Sequence, residues 1–478
     1  MGDICIMTDT TNNHLLTPPA PLVERERMQR LLPSLTGFYE ALISRILKAA
    51  PYGQLTLLLP AEKNGHRRAI RHQGLPIDVT RPQDDDGTLT PCRQTLSPVQ
   101  IEIQSKRGLR RLMTGGDMGF AEAFMDGDIN VPDLHGLFHW FLANGSALEA
   151  SVKNTSVFSR IKQLANLVLH RLHGNTKRGS RRNIAYHYDL GNSFYKRWLD
   201  ETMTYSSALF RGLEDADSTQ NTPATPAQPQ ANEQRLHAAQ SAKYQAVLDA
   251  LALPAGPAHI LEIGCGWGGF AEHVLKSRSK AGLETKMTGL TISAQQHHYG
   301  QNRLKSFEDK VDIRFEDYRD CKGSYDGVAS IEMFEAVGEA HWAEFFTTLH
   351  NRLKPGARAA LQIITIDESR FESYRRGVDF IQRYIFPGGM LSSPTRFEEE
   401  AERAGLTALK RRMFGLSYAH TLRCWLNAFD AAWPELASLG FDERFRRMWR
   451  YYLQYCEAGF EAGRINVGIF TLERPLKA

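Results

Sequence analysis

The segment Ile260-Leu-Glu-Ile-Gly-Cys-Gly-Trp-Gly-Gly-Phe270 runs from an apolar strand through clustered glycines into the start of a helix. Glycines there let the backbone turn tightly and approach a ligand with no Cβ in the way. Gly264, Gly266 and Gly269 meet the Gly-x-Gly-x-x-Gly spacing of a dinucleotide turn, with Gly268 beside them. The acid that such a turn requires about 20 residues on is missing. Glu262 lies just ahead of the first glycine instead. The chemistry suited to this pattern is nucleoside binding, although a short glycine motif on its own is equally a structural turn. The next strand ends in Gly289-Leu-Thr-Ile-Ser-Ala-Gln-Gln296, where Thr291, Ile292, Ser293 and Gln296 must supply contacts an acid does not. Ser293 reads equally well as a helix cap. Asp317 and Tyr318 follow a third strand and suit the edge and face of a base. A fourth strand enters Ile331-Glu-Met-Phe-Glu-Ala-Val-Gly338, which sets two carboxylates among apolar neighbours. An acid is rarely buried without a partner, so Glu335 is a candidate polar centre in an apolar pocket.

These residues need a scaffold. From 234 onward strands and helices alternate: strands at 259–263, 286–290, 311–315, 327–331, 357–366 and 467–473, with helices over 234–252, from 270, and over 294–305. That order predicts an α/β fold with a mostly parallel, doubly wound sheet and the ligand at the carboxyl ends of its strands. An acid–glycine turn after the first strand makes this the Rossmann-like architecture expected of a class I S-adenosylmethionine (SAM) methyltransferase. Residues 23–157 read as a smaller N-terminal α+β domain, with helices at 24–48, 106–125 and 132–145 and short strands between. Residues 1–22 read as a disordered N-terminus. Residues 158–182 form a basic amphipathic linker ending in Lys177, Arg178, Arg181 and Arg182. It is either a solvated connection or a contact for anionic lipid. A Pro/Thr/Gln-rich stretch at 212–233 reads as a surface insertion within a 183–478 catalytic domain.

Bulk composition narrows the field. With 58 basic and 54 acidic residues the net charge is only +4, so nothing calls for nucleic acid. The six cysteines show no Cys-x-x-Cys spacing, which argues against a metal site or disulfide framework and for a reducing, cytoplasmic setting. No apolar run approaches a spanning helix.

Taken together the motifs resemble the cyclopropane-fatty-acyl-phospholipid synthases, a family that includes the mycolic acid cyclopropane synthases. The resemblance rests on Tyr186-His-Tyr-Asp-Leu-Gly-Asn192, on 198–210 with its Thr-Tyr-Ser-Ser-Ala run, and on Leu261 to Gly269. It rests further on Gly289-Leu-Thr-Ile-Ser293, Phe334-Glu335, Tyr384-Ile-Phe-Pro-Gly-Gly389, and Arg446 to Gly463. It implies a peripheral enzyme at the inner membrane face, with residues 23–157 as a lipid-docking or accessory domain. SAM would donate a one-carbon unit to the cis double bond of an unsaturated phospholipid acyl chain, giving a cyclopropane; a homodimer is compatible with it. It places Tyr205 and Ser206 near the methionine part of SAM, Gly264 and Gly266 beneath the cofactor, and Ile292 and Gln296 near its ribose and adenine. It also implies a bicarbonate ion as base, held by a Cys, a Glu, a His, a Tyr and a backbone amide. Here those positions are Ser207, Glu335, Gln362, Tyr418 and the amide of Ile364.

Ser207 and Gln362 depart from the family's Cys and His. Both still hydrogen-bond an oxyanion, but neither offers a thiolate or an imidazolium. That leaves open a methylene- or methyl-branched product and a lipid-binding relative without catalysis; the fold alone also permits a small-molecule methyltransferase. Phe380, Tyr384, Phe386, Trp425 and Phe460 are candidates for an acyl tunnel; Trp267 reads as local packing and His187 as structural.

Overall fold

In the computed structural model the described residues are 35–62, 65–79, 94–152, 190–210 and 229–476. The N-terminus, the basic linker, Tyr186, His187 and the insertion up to 228 lie outside them. Residues 229–233, assigned above to the insertion, instead form the first turns of helix Pro229–Ala250.

The N-terminal unit begins with α1 (Leu35–Leu47), followed by β1 (Gln54–Leu58), β2 (Ala69–Gln73), β3 (Asp78–Val79), β4 (Gln94–Thr95) and β5 (Val99–Ile103). Helix α2 (Lys106–Met125), β6 (Ile129–Asn130) and α3 (Leu134–Val152) complete it. Its sheet order is β2-β1-β5-β6. Burial alternates along β1 and β5, so Leu55, Leu57, Val99, Ile101 and Ile103 share the inner face. Ser105 caps α2: its Oγ accepts the Gly108 amide at 3.0 Å and donates to Asp128 at 2.7 Å.

The second unit is a seven-stranded sheet of order β12-β13-β11-β10-β7-β8-β9. Strands β7 (Ala258–Ile263), β8 (Thr285–Thr291), β9 (Val311–Phe315), β10 (Tyr325–Ile331) and β11 (Leu353–Ile366) run parallel. The last strand, β13 (Ile465–Glu473), runs antiparallel to β11 and to β12 (Thr407–Met413). The central β7 is buried almost throughout, because helices cover both faces of a parallel sheet. Helix α4 (Pro229–Ala250) precedes β7. Helices α5 (Gly269–Lys280) and α6 (Ala294–Arg303) follow β7 and β8, and α7 (Trp342–Arg352) precedes β11. Alternation places the carboxyl ends of β7, β8 and β10 together, where the turn residues were expected.

Two long helices bind the units together. Helix α8 (Gly415–Ala431) packs on α9 (Glu443–Glu461), and α9 packs on α2 and α3. Arg447 donates to the carbonyls of Phe124 and Ile129, and Tyr384 donates to Glu122 at 2.9 Å. Glu461 takes hydrogen bonds from His135 at 2.8 Å and His139 at 2.7 Å, and from Arg423 at 2.6 Å. The guanidinium already supplies a cation to this trio, so it reads as an ionic latch between the units.

His135 is raised: burial alone would lower it, but the hydrogen bond to Glu461 and nearby carboxylates outweigh that. Burial acts to raise the Glu461 carboxyl, yet the two histidines and Arg423 hold it far below its ordinary range. The histidine's share of stability is therefore complete at acid pH and is lost as pH climbs through its raised value. The glutamate's share is present above the ordinary carboxyl range and is lost only in strong acid. Glu461→Gln is expected to cost about 1–2 kcal/mol near pH 6, and less above pH 8, in urea unfolding. Identical losses at both pH values would show that the histidine contributes nothing.

Candidate active site

Strand β7 delivers Glu262 and then the turn. Gly264, Gly266 and Gly268 all have positive φ (81°, 51° and 84°), a region L side chains avoid. A Cβ on Gly264 would lie 2.8 Å from Met333 Cγ, whereas a Cβ on Gly266 would meet nothing within 4 Å. Gly266 lines the cavity described below. Its open space is therefore a cradle that a side chain would fill. Glu262 is 2% exposed, and its Oε2 is buried without a hydrogen-bond partner. Burial pushes its carboxyl up to about 8, with Lys243 pulling the other way. An unsatisfied acceptor beside an open glycine cradle fits a nucleoside-bearing ligand that carries donors.

At the end of β8, Thr291 Oγ1 donates to Gln296 Oε1 at 2.9 Å, and both residues line the cavity with Ile292. Ser293 does not line it: its Oγ accepts the Gln296 amide at 3.3 Å and caps α6. Of its two readings, the cap is the one found. Gly268 also lies outside the cavity wall, at the N-cap of α5. Asp317 and Tyr318 line the cavity, but the Asp317 carboxylate is held by Arg319 at 2.7 and 2.8 Å. Tyr318 packs edge-on against Phe345. Trp267 donates to Asn192 at 2.7 Å and packs near Tyr195, and it also borders the cavity.

The polar centre differs from the expected one. Tyr418 does meet a carboxylate, but it is that of Glu332. Glu332 Oε2 accepts the Tyr418 hydroxyl at 2.7 Å. Its Oε1 accepts the Ser207 amide at 2.8 Å and Gln362 Nε2 at 2.7 Å. Thus Ser207, Gln362 and Tyr418 converge as expected, around a side chain of the protein itself. Ser207 serves through its backbone; its hydroxyl donates to the Ala208 carbonyl at 2.9 Å. Ser207 and Gln362 are fully buried behind Glu332 and outside the cavity wall, so they position the carboxylate and do not face a ligand. Glu335 keeps only the Ile364 part of its expected role: its Oε1 accepts that amide at 2.5 Å, and its Oε2 is buried without a partner.

Three described non-glycine residues have positive φ: Met203, Ala252 and Glu332 (50°). Met203 and Glu332 line the cavity. Such a conformation costs of order 1–3 kcal/mol and persists where the surroundings over-determine it. Here the Glu332 amide donates to the Gln362 carbonyl at 2.8 Å while its side chain returns to the Gln362 amide group.

Electrostatics separates the two glutamates. Both line the cavity, yet protein atoms crowd them closely. Burial raises the Glu332 carboxyl, against Lys243, the Ser207 amide, Tyr418 and Gln362, which all favour its anion. Glu335 is pushed up to about 8 by burial and then by the charge of Glu332, with backbone amides as its only relief. Environments that pull paired acids apart favour opposite states: the donors around Glu332 favour its anion, while the charge of Glu332 pushes Glu335 toward the neutral acid. Lys243 was not singled out from the sequence. It is wholly buried on α4, its Nζ donates to Ser206 Oγ at 2.7 Å, and burial pushes it down to about 8. Nearby, the hydroxyls of Tyr205 and Tyr452 are 2.8 Å apart.

One cavity of about 1520 Å³ joins these parts. It runs from Tyr205, Ser206 and the glycine turn past Glu332 and Glu335 to an apolar wall in the N-terminal unit that includes Leu47, Leu57, Leu112, Phe120 and Phe141. Phe380, Phe386 and Phe460 line it as expected; Tyr384 and Trp425 do not. Trp425 is core, and Tyr384 belongs to the interdomain contacts.

Comparison with known proteins agrees with this geometry. Residues 175–470 match the family model described as mycolic acid cyclopropane synthetase. The chain is 34% identical over 422 residues to tuberculostearic acid methyltransferase UfaA1 of Mycobacterium tuberculosis, covering 85% of this chain and 90% of that one. It is 31% identical over 372 residues to cyclopropane-fatty-acyl-phospholipid synthase of Escherichia coli, covering 78% and 87%. Among solved structures, mycolic acid cyclopropane synthase CmaA1 complexed with SAH and CTAB aligns with a TM-score of 0.51 at 28% identity, over 61% of this chain and 97% of that one. The glycine cradle, the parallel sheet behind it and these relatives together place the chain in the mycolic acid cyclopropane synthetase family, as a SAM-dependent methyltransferase of the fatty acid methyltransferase and cyclopropane synthase type.

Proposed function

We propose that the protein transfers the methyl carbon of SAM to the cis double bond of an unsaturated phospholipid acyl chain and forms a cyclopropane. The observation that carries this reading is one cavity that joins the glycine turn and the two glutamates to many apolar side chains of both units. A hydrocarbon chain suits the apolar end, since each buried methylene contributes about 0.8 kcal/mol.

Gly264 and Gly266 give the cofactor room, Glu262, Thr291 and Gln296 offer polar contacts, and Tyr205 and Ser206 border the methionine end. When bound, SAM supplies an electrophilic methyl group strong enough for an unactivated alkene. The chain's own residues do the rest. Phe380, Phe386 and Phe460 hold apolar substrate and exclude water, which would otherwise capture a cation. The Glu332 carboxylate stabilises positive charge on the acyl chain. The names of the relatives support a fatty-acyl substrate. Work at the inner face of the membrane fits as well, since among the described residues no helix is long and apolar enough to cross a bilayer.

Purified protein given SAM and liposomes of cis-monounsaturated phospholipid is expected to yield acyl chains heavier by one CH₂ that resist mild hydrogenation. Hydrogen uptake by the heavier chains would instead identify a methylene product. No mass gain in any lipid would refute the reading.

A further inference from the structure

We infer that Glu332 is the catalytic base, a carboxylate of the chain occupying the place where a bound anion would otherwise be required. The inference deepens the proposed function and rests on it.

Four observations lead here. Glu332 lines the cavity between the glycine turn and the apolar wall. It collects three donors from three separate parts of the chain, the Ser207 amide, the Gln362 side chain and the Tyr418 hydroxyl. A carboxylate has about four lone-pair positions. Oε1 uses two of them and Oε2 one, so Oε2 retains a lone pair. Third, the backbone is held at φ 50° to present the side chain there, the kind of outlier that clusters at functional sites. Fourth, the donors that would have gripped a free anion are spent on Glu332, and a second anion beside it would meet like charge. Glu335 is the weaker candidate. One amide holds its Oε1, its Oε2 has no partner, and the adjacent Glu332 charge opposes its ionisation.

The step balances without another reactant. The alkene π pair forms a bond to the methyl carbon as the carbon–sulfur bond breaks, which leaves a neutral thioether and a cation on the neighbouring acyl carbon. Glu332 Oε2 removes a proton from the new methyl group, and the released C–H pair closes the ring. The resulting carboxylic acid gives its proton to water after the product leaves. Ser207, Gln362 and Tyr418 are positioning residues in this scheme, because each acts through Glu332.

The test compares full-length protein in buffer freed of carbon dioxide with the same buffer plus sodium bicarbonate. Wild type is expected to alkylate unsaturated liposomes at rates within twofold of each other in the two buffers. Glu332→Gly, which suits the positive φ, is expected to lose at least 100-fold without bicarbonate and to regain at least tenfold with it. A second readout does not depend on turnover: ¹³C-bicarbonate should broaden on adding Glu332→Gly protein and stay sharp with wild type. If the glycine variant does not fold, Glu332→Gln keeps the shape and removes the basic oxygen. It should bind SAH within threefold of wild type and lose at least 100-fold in rate.

Wild type that works only with bicarbonate would overturn the inference and leave the proposed function intact. So would full turnover by Glu332→Gly or Glu332→Gln without bicarbonate. Wild type that alkylates no lipid under either condition would remove the proposed function and this inference with it.

Discussion

Gly266→Val is expected to leave the protein folded and to weaken binding of SAH, the demethylated cofactor, at least 100-fold by calorimetry. The fold should survive because a Cβ at this position meets nothing within 4 Å. The backbone cost of placing valine at φ 51° is about 1–2 kcal/mol, small beside the 5–15 kcal/mol stability of a typical domain. Binding should not survive, because the branched side chain fills the space beside Glu262 that the cofactor needs. A 100-fold loss corresponds to about 2.7 kcal/mol. Gly264→Ala provides the contrast. Its Cβ would stand 2.8–2.9 Å from Met333 Cγ and Cβ, next in sequence to Glu332. That variant should lose stability as well as affinity. Unaltered SAH binding by Gly266→Val would mean that the cofactor does not lie over this turn.

The second large effect concerns Glu335 and pH. Its folded value of about 8 stands above the ordinary 4.5. The native protein therefore holds this proton more tightly than the unfolded chain does. Stability from this site is full below the ordinary carboxyl range, falls as pH climbs from 4.5 toward 8, and levels beyond. Glu335→Gln resembles the protonated acid and removes the slope. The variant should gain on wild type by about 2–4 kcal/mol between pH 5 and pH 8.5, discounted for coupling to Glu332. Its rate at pH 7 should stay within tenfold; the wild-type rate is expected to fall near pH 8 as Glu335 ionises, and the variant's is not. Parallel stability curves for the two proteins would contradict a neutral Glu335.

The parallel sheet and the glycine cradle were legible because they depend on local pattern. A buried apolar strand running into Gly264 and Gly266 looks the same in sequence as in space. Strand β12 was missed because it is an outer strand that is mostly exposed and carries Lys410, Arg411 and Arg412 in a row, which breaks any apolar alternation. Glu332 and Glu335 were both visible as acids after β10. Both the apolar neighbours and the resemblance pointed to Glu335, and nothing local announces that residue 332 adopts a left-handed backbone or that a serine contributes its amide in place of its hydroxyl. Lys243 went unnoticed for a similar reason. It lies on a helix with many polar residues, and burial of a single lysine there depends on distant chain, including Ser206. The apolar wall of the N-terminal unit was not singled out residue by residue, since leucines at helical spacing look alike whether they face protein or a hydrocarbon ligand.

That wall has a consequence for how the molecule can be taken apart. Leu57, Leu112 and Phe120 bound the same hollow that begins at Gly266, so the leading unit is no detachable handle. Cutting it away would strip those side chains from the hollow and expose the rest of its lining to water. In the intact chain those side chains face the same hollow as the glycine turn, so a hydrocarbon tail bound as proposed would touch both units at once.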